Sequence, residues 1–158
     1  MPSTVVTGAS DEDTCKAKNC GEGNLDTQYI TGIAPNTLTY FINALDGPET
    51  SPLYLVMWMA GLTVLPVLPR VASISYGPSE HDFTVAELSL FDVEAIKVSV
   101  MGVTIVASSG DDGANARSAR GDPSKCGYTP QFPATSQYVL AVGATSGPGM
   151  DRFLLANT

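Results

Sequence analysis

The sequence predicts an α/β domain in which a mainly parallel sheet is flanked by helices. Two short and almost wholly apolar runs, residues 71–76 and 103–107, have the composition of buried strands in a parallel sheet. Between them, apolar residues recur at steps of three and four, as one helix face requires: Leu88, Phe91, Ala95 and Val98. A strand–helix–strand order within 158 residues is typical of one α/β domain.

The N-terminal elements are predicted from turn residues and local composition. Residues 1–20 are polar and are predicted to form a loop-like N-terminal segment. Residues 22–32 are predicted to form a short helix, which Gly32 ends, and residues 38–42 to form a β-rich run. Residues 53–62 are very apolar, so we expect a second helix that is buried on most sides.

The C-terminal elements follow from capping and glycine signals. Thr84 followed by Glu87 forms a capping-box pattern, so a third helix is predicted to begin there and to end at Gly102. Residues 115–131 are polar and are predicted to form one long loop. Residues 138–142 are predicted to form a last short strand.

The composition excludes two classes of partner. Eight Lys and Arg residues oppose 16 Asp and Glu residues, which gives a net charge of −8 and a pI near 4.3. A nucleic-acid partner therefore has no electrostatic support. No apolar run approaches the ~20 residues of a membrane span, and residues 2–18 hold no apolar core of a secretory signal.

The cysteines and the single histidine indicate no site of their own. Three cysteines are too few for a disulfide framework. Cys15 and Cys20 could close a local loop, in which case Cys126 would have no cysteine partner. A zinc site would need more ligands at closer spacing than these residues and His81 supply. We expect structural or incidental cysteines and a solvated His81, which has no partners for a Ser-His-Asp arrangement.

Two carboxylates stand near the start of the first predicted helix. Glu22 and Asp26 are four residues apart, a spacing that places both side chains on one face, ~5–6 Å apart at their β-carbons. Two like charges this close are unfavourable, so we expect the pair to share a proton, as a general base that works in acid requires. The alternative is that both carboxylates face water near a helix N-terminus, which favours negative charge.

A glycine-rich acidic turn directly follows the second apolar strand. Residues 108–113 read Ser-Ser-Gly-Asp-Asp-Gly, and open α/β folds build their active sites where strands end. A protonated Asp111 could donate a hydrogen bond to a developing oxyanion. The alternatives are an ordinary turn with Asx hydrogen bonds and a cation site formed by Asp111 and Asp112.

Four segments of the chain form one ordered pattern. They are residues 22–29 (EGNLDTQY), 71–77 (VASISYG), 106–113 (VASSGDDG) and 132–139 (FPATSQYV). Each motif is weak alone, but together and in this order they resemble the sedolisin family of serine-carboxyl peptidases. Because the resemblance covers about residues 21–145, we interpret residues 21–158 as a partial domain of this family.

The resemblance implies both a fold and a reaction. The fold would be subtilisin-like and incomplete in this chain, and the reaction would be peptide-bond hydrolysis at acidic pH by a Ser-Glu-Asp triad. By position, the resemblance implies that Glu22 is the base, Asp26 the carboxylate that orients it and Asp111 the oxyanion-hole acid. Asp112 stands where the family often has a small polar residue, so no role is assigned to it.

The chain departs from the family where the nucleophile is expected. It contains no Ser-Gly-Thr, the start of the family's Ser-Gly-Thr-Ser nucleophile motif, and nothing in it matches the family's calcium site. Both features belong to the C-terminal half of the family domain. The chain is therefore interpreted as the N-terminal half, with no cofactor of its own and calcium expected in the missing part. Losing the nucleophile costs ~10⁶ in rate, so the isolated chain is expected to be inactive.

The resemblance also implies a setting. The substrates would be peptides or proteins, a pro-segment would precede the domain in the full-length protein, and the compartment would be secreted or lysosome-like and acidic. A parallel sheet without its later strands would expose apolar surface. Residues 1–158 alone are therefore expected to fold poorly or to aggregate.

Two other interpretations stay open. A truncated, non-catalytic paralogue would bind peptides or a partner, or would have no function. An unrelated doubly wound domain would bind an anion or a metal at residues 110–113. The sequence holds neither a phosphate-loop lysine nor a dinucleotide glycine fingerprint, so this last interpretation is the weakest.

Overall fold

The computed structural model describes residues 4–7, 21–42, 53–115, 117–120 and 122–144. The chain divides into two compact units, residues 1–47 and residues 48–158. Cys15 and Cys20, which could close a local loop, lie outside the described residues, whereas Cys126 is exposed and forms no disulfide with any described residue.

In the first unit, the described residues form two parallel strands and one helix. Strand β1 (Thr4–Thr7) pairs with β2 (Thr39–Ile42), and helix α1 (Gly21–Ile33) lies between them in the sequence. The prediction that residues 1–20 are loop-like is wrong at β1. The reason is that the β-branched run of Thr4 to Thr7 pairs, residue for residue, with β2, which is distant in the sequence.

A glycine lets α1 approach β2 closely. A β-carbon added at Gly23 would lie 3.0 Å from the ring of Phe41 on β2. The Thr27 hydroxyl donates a 2.7 Å hydrogen bond to the Gly23 carbonyl within the helix. The first turns of α1 are thus held against the strand, and the predicted helix at residues 22–32 is confirmed with one more residue at each end.

The second unit is built on a three-stranded parallel sheet. Strands β3 (Val71–Ile74), β4 (Thr104–Ser108) and β5 (Leu140–Val142) lie in the order β3-β4-β5. The register aligns Ile74 with Ala107, and Ala107 with Ala141. The parallel sheet predicted from the sequence is confirmed, and β4 is its central strand.

Burial alternates along the strands instead of covering both faces. Ala72 and Ile74 of β3 and Ile105 and Ala107 of β4 are buried. The side chains that point to the opposite face stay exposed or half-buried, among them Val71, Leu140 and Val142. The strands predicted to be buried are therefore buried on one face, and within the described residues the other face of this sheet is not covered.

Two helices pack against each other in this unit, α2 (Leu53–Leu62) and α3 (Val85–Val100). The bounds of α2 match the prediction, but its expected burial on most sides is wrong. Its buried residues are Leu55, Met59 and Leu62, which share one face, and Leu53 and Met57 stay about half exposed. The reason is that one helix neighbour covers one face only.

Helix α3 begins and ends where the sequence predicts. The Thr84 hydroxyl accepts a hydrogen bond from the Glu87 backbone N–H, and the Glu87 carboxylate accepts one from the Thr84 N–H at 2.8 Å. At the other end Gly102 adopts φ +95°, and the Val103 N–H donates back to the Val98 carbonyl at 3.2 Å. A glycine in the left-handed conformation, followed by a hydrogen bond from the next N–H to a carbonyl in the last turn, is the usual C-terminal cap of a helix.

Three short 3₁₀ turns occupy the connections: Glu80–Asp82, Arg117–Ala119 and Pro123–Lys125. The last two interrupt the segment that the sequence predicts to be one long loop. Asp122 begins the third turn, where its carboxylate accepts a 3.2 Å hydrogen bond from the Ser124 N–H. These hydrogen bonds lower the pKa of Asp122, chiefly through the Ser124 hydroxyl and N–H.

Candidate active site

The predicted base and its orienter lie one turn apart on α1. Glu22 is exposed in the first turn of the helix, and Asp26 is half-buried one turn later. Since α1 is a regular helix here, the spacing of four residues places both carboxylates on the same face, as predicted. Helical register alone thus brings this pair together.

The turn that carries Asp111 begins where β4 ends. Ser109 is buried, and its N–H donates a 2.9 Å hydrogen bond to the Val142 carbonyl at the end of β5. Gly110 follows with φ +87°, a backbone conformation that side-chain-bearing residues rarely adopt. The chain therefore leaves the sheet abruptly, and the next residue, Asp111, is presented at the carboxyl edge of the sheet.

Asp111 and Asp112 share one arginine. The Arg120 Nη2 lies 3.3 Å from an Asp111 oxygen, and its Nε lies 2.6 Å from Asp112 Oδ1. The Asp111 side chain is 87% exposed, whereas that of Asp112 is 14% exposed. The hydrogen bond and the charge of Asp112, followed by those of Asp111, raise the pKa of Arg120.

Sequence reasoning gave Asp112 no role and did not single out Arg120. The structure makes Asp112 the better-buried partner of the arginine, and its second oxygen, Oδ2, is buried with no hydrogen-bond partner among the described residues. A basic residue nine positions after Asp111, in a chain with only eight Lys and Arg, was the available signal. The turn at Arg117–Ala119 is what carries Arg120 back to the acidic pair.

A second loop is fastened to the carboxyl edge of β3. Gln131 forms an isolated antiparallel bridge with Ser79, and flanking backbone bonds run from the Glu80 N–H to Pro130 O at 2.9 Å and from the Phe132 N–H to Pro78 O at 3.0 Å. These bonds hold the segment before the cis Phe132–Pro133 peptide beside the end of β3. Residues 130–132, in the connection between β4 and β5, thus hydrogen-bond to residues 78–80 in the loop that follows β3.

The motif at residues 132–139 is anchored in the core and to α3. Phe132 is buried and packs edge-on against Phe91 and Phe83, with ring centroids 4.8 Å and 5.4 Å apart. The Ser136 hydroxyl donates a 2.6 Å hydrogen bond to Asp92 of α3. This motif therefore has a structural role that its sequence did not reveal, since Asp92 lies 44 residues away.

The predicted site residues are divided between the two units. Glu22 and Asp26 belong to the first unit, and Asp111 belongs to the second. His81 lies exposed in the turn Glu80–Asp82, which agrees with its interpretation as a solvated loop residue. Among the described residues, no three His, Cys, Asp or Glu side chains form a group that could hold a metal ion, and no helix is long and apolar enough to cross a membrane.

Known proteins of similar sequence point to one family. The sequence profile of the subtilase family matches residues 3–151. Tripeptidyl-peptidase 1 of Homo sapiens is 32% identical over 136 residues, which make up 86% of this chain and 23% of that protein. Tripeptidyl-peptidase 1 of Dictyostelium discoideum is 39% identical over 123 residues, or 77% of this chain and 19% of that protein.

The fold of a solved serine-carboxyl proteinase agrees with these matches. Pseudomonas sedolisin superposes with a TM-score of 0.70 at 26% identity, over 90% of this chain and 40% of that chain. A lanthipeptide protease shares the fold at 20% identity, with a TM-score of 0.57.

Together these matches define the class as a serine peptidase of subtilisin-like fold. The chain belongs to the subtilase family, and within it to the sedolisins. It spans about a quarter or less of the length of the tripeptidyl-peptidases that it matches.

Proposed function

We propose that this chain supplies the general base, its orienting carboxylate and the oxyanion-hole acid of a peptidase that hydrolyses peptide bonds at acidic pH. The observation that carries the proposal is the turn after β4, in which Gly110 at φ +87° directly precedes an exposed Asp111. The carboxyl edge of a parallel sheet is where α/β folds build active sites. Membership of a serine-peptidase family supplies the reaction class.

In the proposed reaction the nucleophile is a serine of the remaining part of a sedolisin-type domain. Its proton passes to the Glu22 carboxylate as its oxygen attacks the peptide carbonyl carbon. Asp26 orients Glu22, which then returns the proton to the leaving amine as the peptide bond breaks. Water then attacks the acyl-serine ester that remains, and its proton passes through Glu22 to the serine oxygen as the ester bond breaks. The carbonyl oxygen carries negative charge in the intermediate and accepts a hydrogen bond from protonated Asp111.

The geometry of Asp111 gives a reason for acidic conditions. An ion pair with Arg120 needs Asp111 ionised, whereas donation to an oxyanion needs it protonated. The same side chain cannot do both at once. The proposed donation to the oxyanion therefore requires conditions in which a carboxyl group is protonated, and it requires the loss of the ion pair that the structure shows.

The remaining parts of the proposal concern the setting. Peptides or proteins are the substrates, and a pro-segment keeps the full-length enzyme inactive until it reaches a secreted or lysosome-like acidic compartment. Calcium belongs to the part of the domain that lies beyond this chain. No step of the proposed reaction passes through it, because none of the residues described here is assigned to hold it.

A second candidate function is peptide or partner binding without catalysis. It is kept because residues 1–158 hold no Ser-Gly-Thr motif and so do not themselves supply the family's nucleophile. In that case the isolated 158 residues are inactive, and Glu22, Asp26 and Asp111 have lost their catalytic use. Catalysis by the complete gene product separates the two candidates.

The test is peptide hydrolysis by the complete gene product that carries residues 1–158, at about pH 4 and about pH 7. We expect activity at the acidic pH only. We expect Glu22→Gln, Asp26→Asn and Asp111→Ala each to lower kcat/KM by about 100-fold or more, because they remove the base, its orienting charge and the oxyanion donor, respectively.

The matched control is Asp82→Asn, an exposed carboxylate in the turn Glu80–Asp82 that has no proposed role. It is expected to keep kcat/KM within about twofold, because surface substitutions away from a site have small effects. Near-normal turnover by Glu22→Gln, Asp26→Asn or Asp111→Ala would remove that residue from the site. Complete absence of hydrolysis by the wild-type gene product would leave the binding function as the better account.

A further inference from the structure

The side chain of Gln131 lies against the glycine that precedes Asp111. A β-carbon added at Gly110 would overlap Gln131 Oε1 and Cδ, and it would lie 3.1 Å from Gln131 Nε2. Gly110 therefore leaves room for an amide side chain directly over its α-carbon. This contact joins the loop before Phe132 to the turn after β4.

Gln131 is itself held from the other side. Its backbone pairs with Ser79, and the bonds from Glu80 to Pro130 and from Phe132 to Pro78 flank that bridge. A β-carbon added at Gly77 would overlap the Phe132 carbonyl oxygen, so Gly77 also allows this close approach. The amide of Gln131 thus projects from a backbone that is fixed to the end of β3.

The opposite side of the turn is fixed by Arg120. Arg120 pairs with Asp111 and Asp112, and Ser109 is tied to β5 through its N–H. Gly110 links the buried Ser109 to the exposed Asp111 with φ +87°, and because glycine has no β-carbon its backbone can adopt more conformations than that of any other residue. The Gln131 side chain is the group that restricts this glycine.

We propose that Gln131 is a positioning residue for the oxyanion-hole acid, an inference that rests on the proposed function of Asp111. By occupying the space over Gly110, its side chain keeps the Gly110–Asp111 peptide in one orientation and so keeps the Asp111 carboxyl directed to where an oxyanion forms. Gln131 acts through the backbone and is given no contact with the reacting atoms. Its loss should affect the transition state more than substrate binding.

The experiment compares Gln131→Ala, Gln131→Glu and Gln137→Ala in the complete gene product at about pH 4. Gln131→Ala is expected to lower kcat by about 10-fold, with KM changed less than about twofold. Gln131→Glu keeps the length of the side chain and the Oε1 atom, so it is expected to restore most of kcat at this pH. Gln137→Ala is the control, because this exposed glutamine bonds its own neighbour, the Tyr138 hydroxyl, at 3.2 Å.

A double variant tests the contact without using activity. Gly110→Ala is expected to lower the melting temperature more in the wild-type background than in Gln131→Ala, because the alanine methyl overlaps the glutamine only when the glutamine is present. Additive effects of the two changes would overturn the contact. A Gln131→Ala enzyme with unchanged kcat, beside an inactive Asp111→Ala enzyme, would overturn the positioning role and leave the proposed function standing. An Asp111→Ala enzyme of normal activity would overturn both.

Discussion

Arg120 is the residue whose role the sequence conceals most. Its guanidinium lies 2.6 Å from Asp112 and 3.3 Å from Asp111, so it makes the shorter contact with Asp112. Asp112 is largely buried beside it, whereas Asp111 stays in solvent. The arginine therefore anchors the turn through Asp112. The exposed Asp111 can leave its contact with Arg120 and form a hydrogen bond to another group, while Asp112 keeps the turn in place.

Removing Arg120 should loosen the turn. Arg120→Ala leaves the largely buried Asp112 carboxylate without its cation, so we expect a drop of a few degrees in the melting temperature of the complete gene product. Arg117→Ala is the matched control, an exposed arginine three residues earlier, and it should leave the melting temperature nearly unchanged. Equal effects of the two variants, measured by thermal unfolding, would contradict the anchoring role.

At the residue scale, the sequence predicts the position of Asp111 but not its surroundings. An apolar strand followed directly by a glycine and an aspartate places Asp111 at the carboxyl edge of the sheet. This position can be predicted because it depends only on residues adjacent in the sequence. The contacts with Arg120 and Gln131 depend on the path of a long connection. Its two 3₁₀ turns carry no strong local signal, so these contacts could not be predicted.

Among the elements, α3 is the one that the sequence determines most completely. Its capping box, its apolar spacing and its terminal glycine all agree, and the structure contains each of them. Strand β1 is the opposite case. Four residues in a polar stretch become a strand only because β2 pairs with them, and pairing between distant segments is not encoded locally.

The capping box predicts a measurable loss of stability. Thr84→Ala removes the hydroxyl that accepts a bond from the Glu87 N–H, so we expect a cost of about 1 kcal/mol in the free energy of unfolding. Ser89→Ala on the same helix is the control, because its exposed hydroxyl only bonds back to the Val85 carbonyl. Denaturant unfolding of both variants of the complete gene product measures the difference, and equal stabilities would contradict the capping role.

The same cap should weaken in acid. Hydrogen bonds from the Thr84 N–H and hydroxyl lower the pKa of Glu87 below its ordinary value of 4.5. The stabilisation by the charged carboxylate is therefore complete above about pH 4.5 and is lost as the pH falls through the lower, folded-state pKa. Glu87→Gln should be less stable than the wild type at neutral pH, and the difference should shrink below that value. A difference that stays constant between neutral pH and about pH 3 would contradict this linkage.

Two glycines on neighbouring helices should respond oppositely to alanine. Gly102 has φ +95°, so Gly102→Ala should destabilise the protein by about 1 kcal/mol. Gly61 lies inside α2 with nothing within 4 Å of an added β-carbon, so Gly61→Ala should stabilise it by about 0.5–1 kcal/mol. Denaturant unfolding of the complete gene product measures the free energy of unfolding of the two variants. A change of the same sign at both positions would contradict the structure of the α3 terminus.

For the molecule as a whole, the sheet of the second unit is covered on one face only among the described residues. Val71, Leu140 and Val142 remain exposed on the other face, and parallel sheets are stable when both faces are covered. The sequence predicted the parallel sheet and the family correctly. The sequence could not predict which face of the sheet stays exposed, because the apolar composition of a strand does not differ between a sheet covered on one face and a sheet covered on both.

The open face leads to a prediction about residues 1–158 expressed alone. We expect this polypeptide to bind a hydrophobic dye, to associate and to lack a sharp unfolding transition, since its apolar surface is incompletely covered. Sedimentation and thermal unfolding measure these properties. A soluble monomer that unfolds cooperatively would contradict the prediction.

The central claim is that carboxyl groups do the work that histidine does in other serine peptidases. The measurement that tests it most directly is the pH profile of kcat/KM for peptide hydrolysis by the complete gene product. We expect a maximum at acidic pH and a decline toward neutrality, because donation by a carboxyl group to an oxyanion requires that carboxyl to be protonated, and we expect Asp111→Ala to be impaired throughout the acidic range. A maximum near neutral pH that is unaffected by Asp111→Ala would contradict this mechanism, because it would require a base other than these carboxylates.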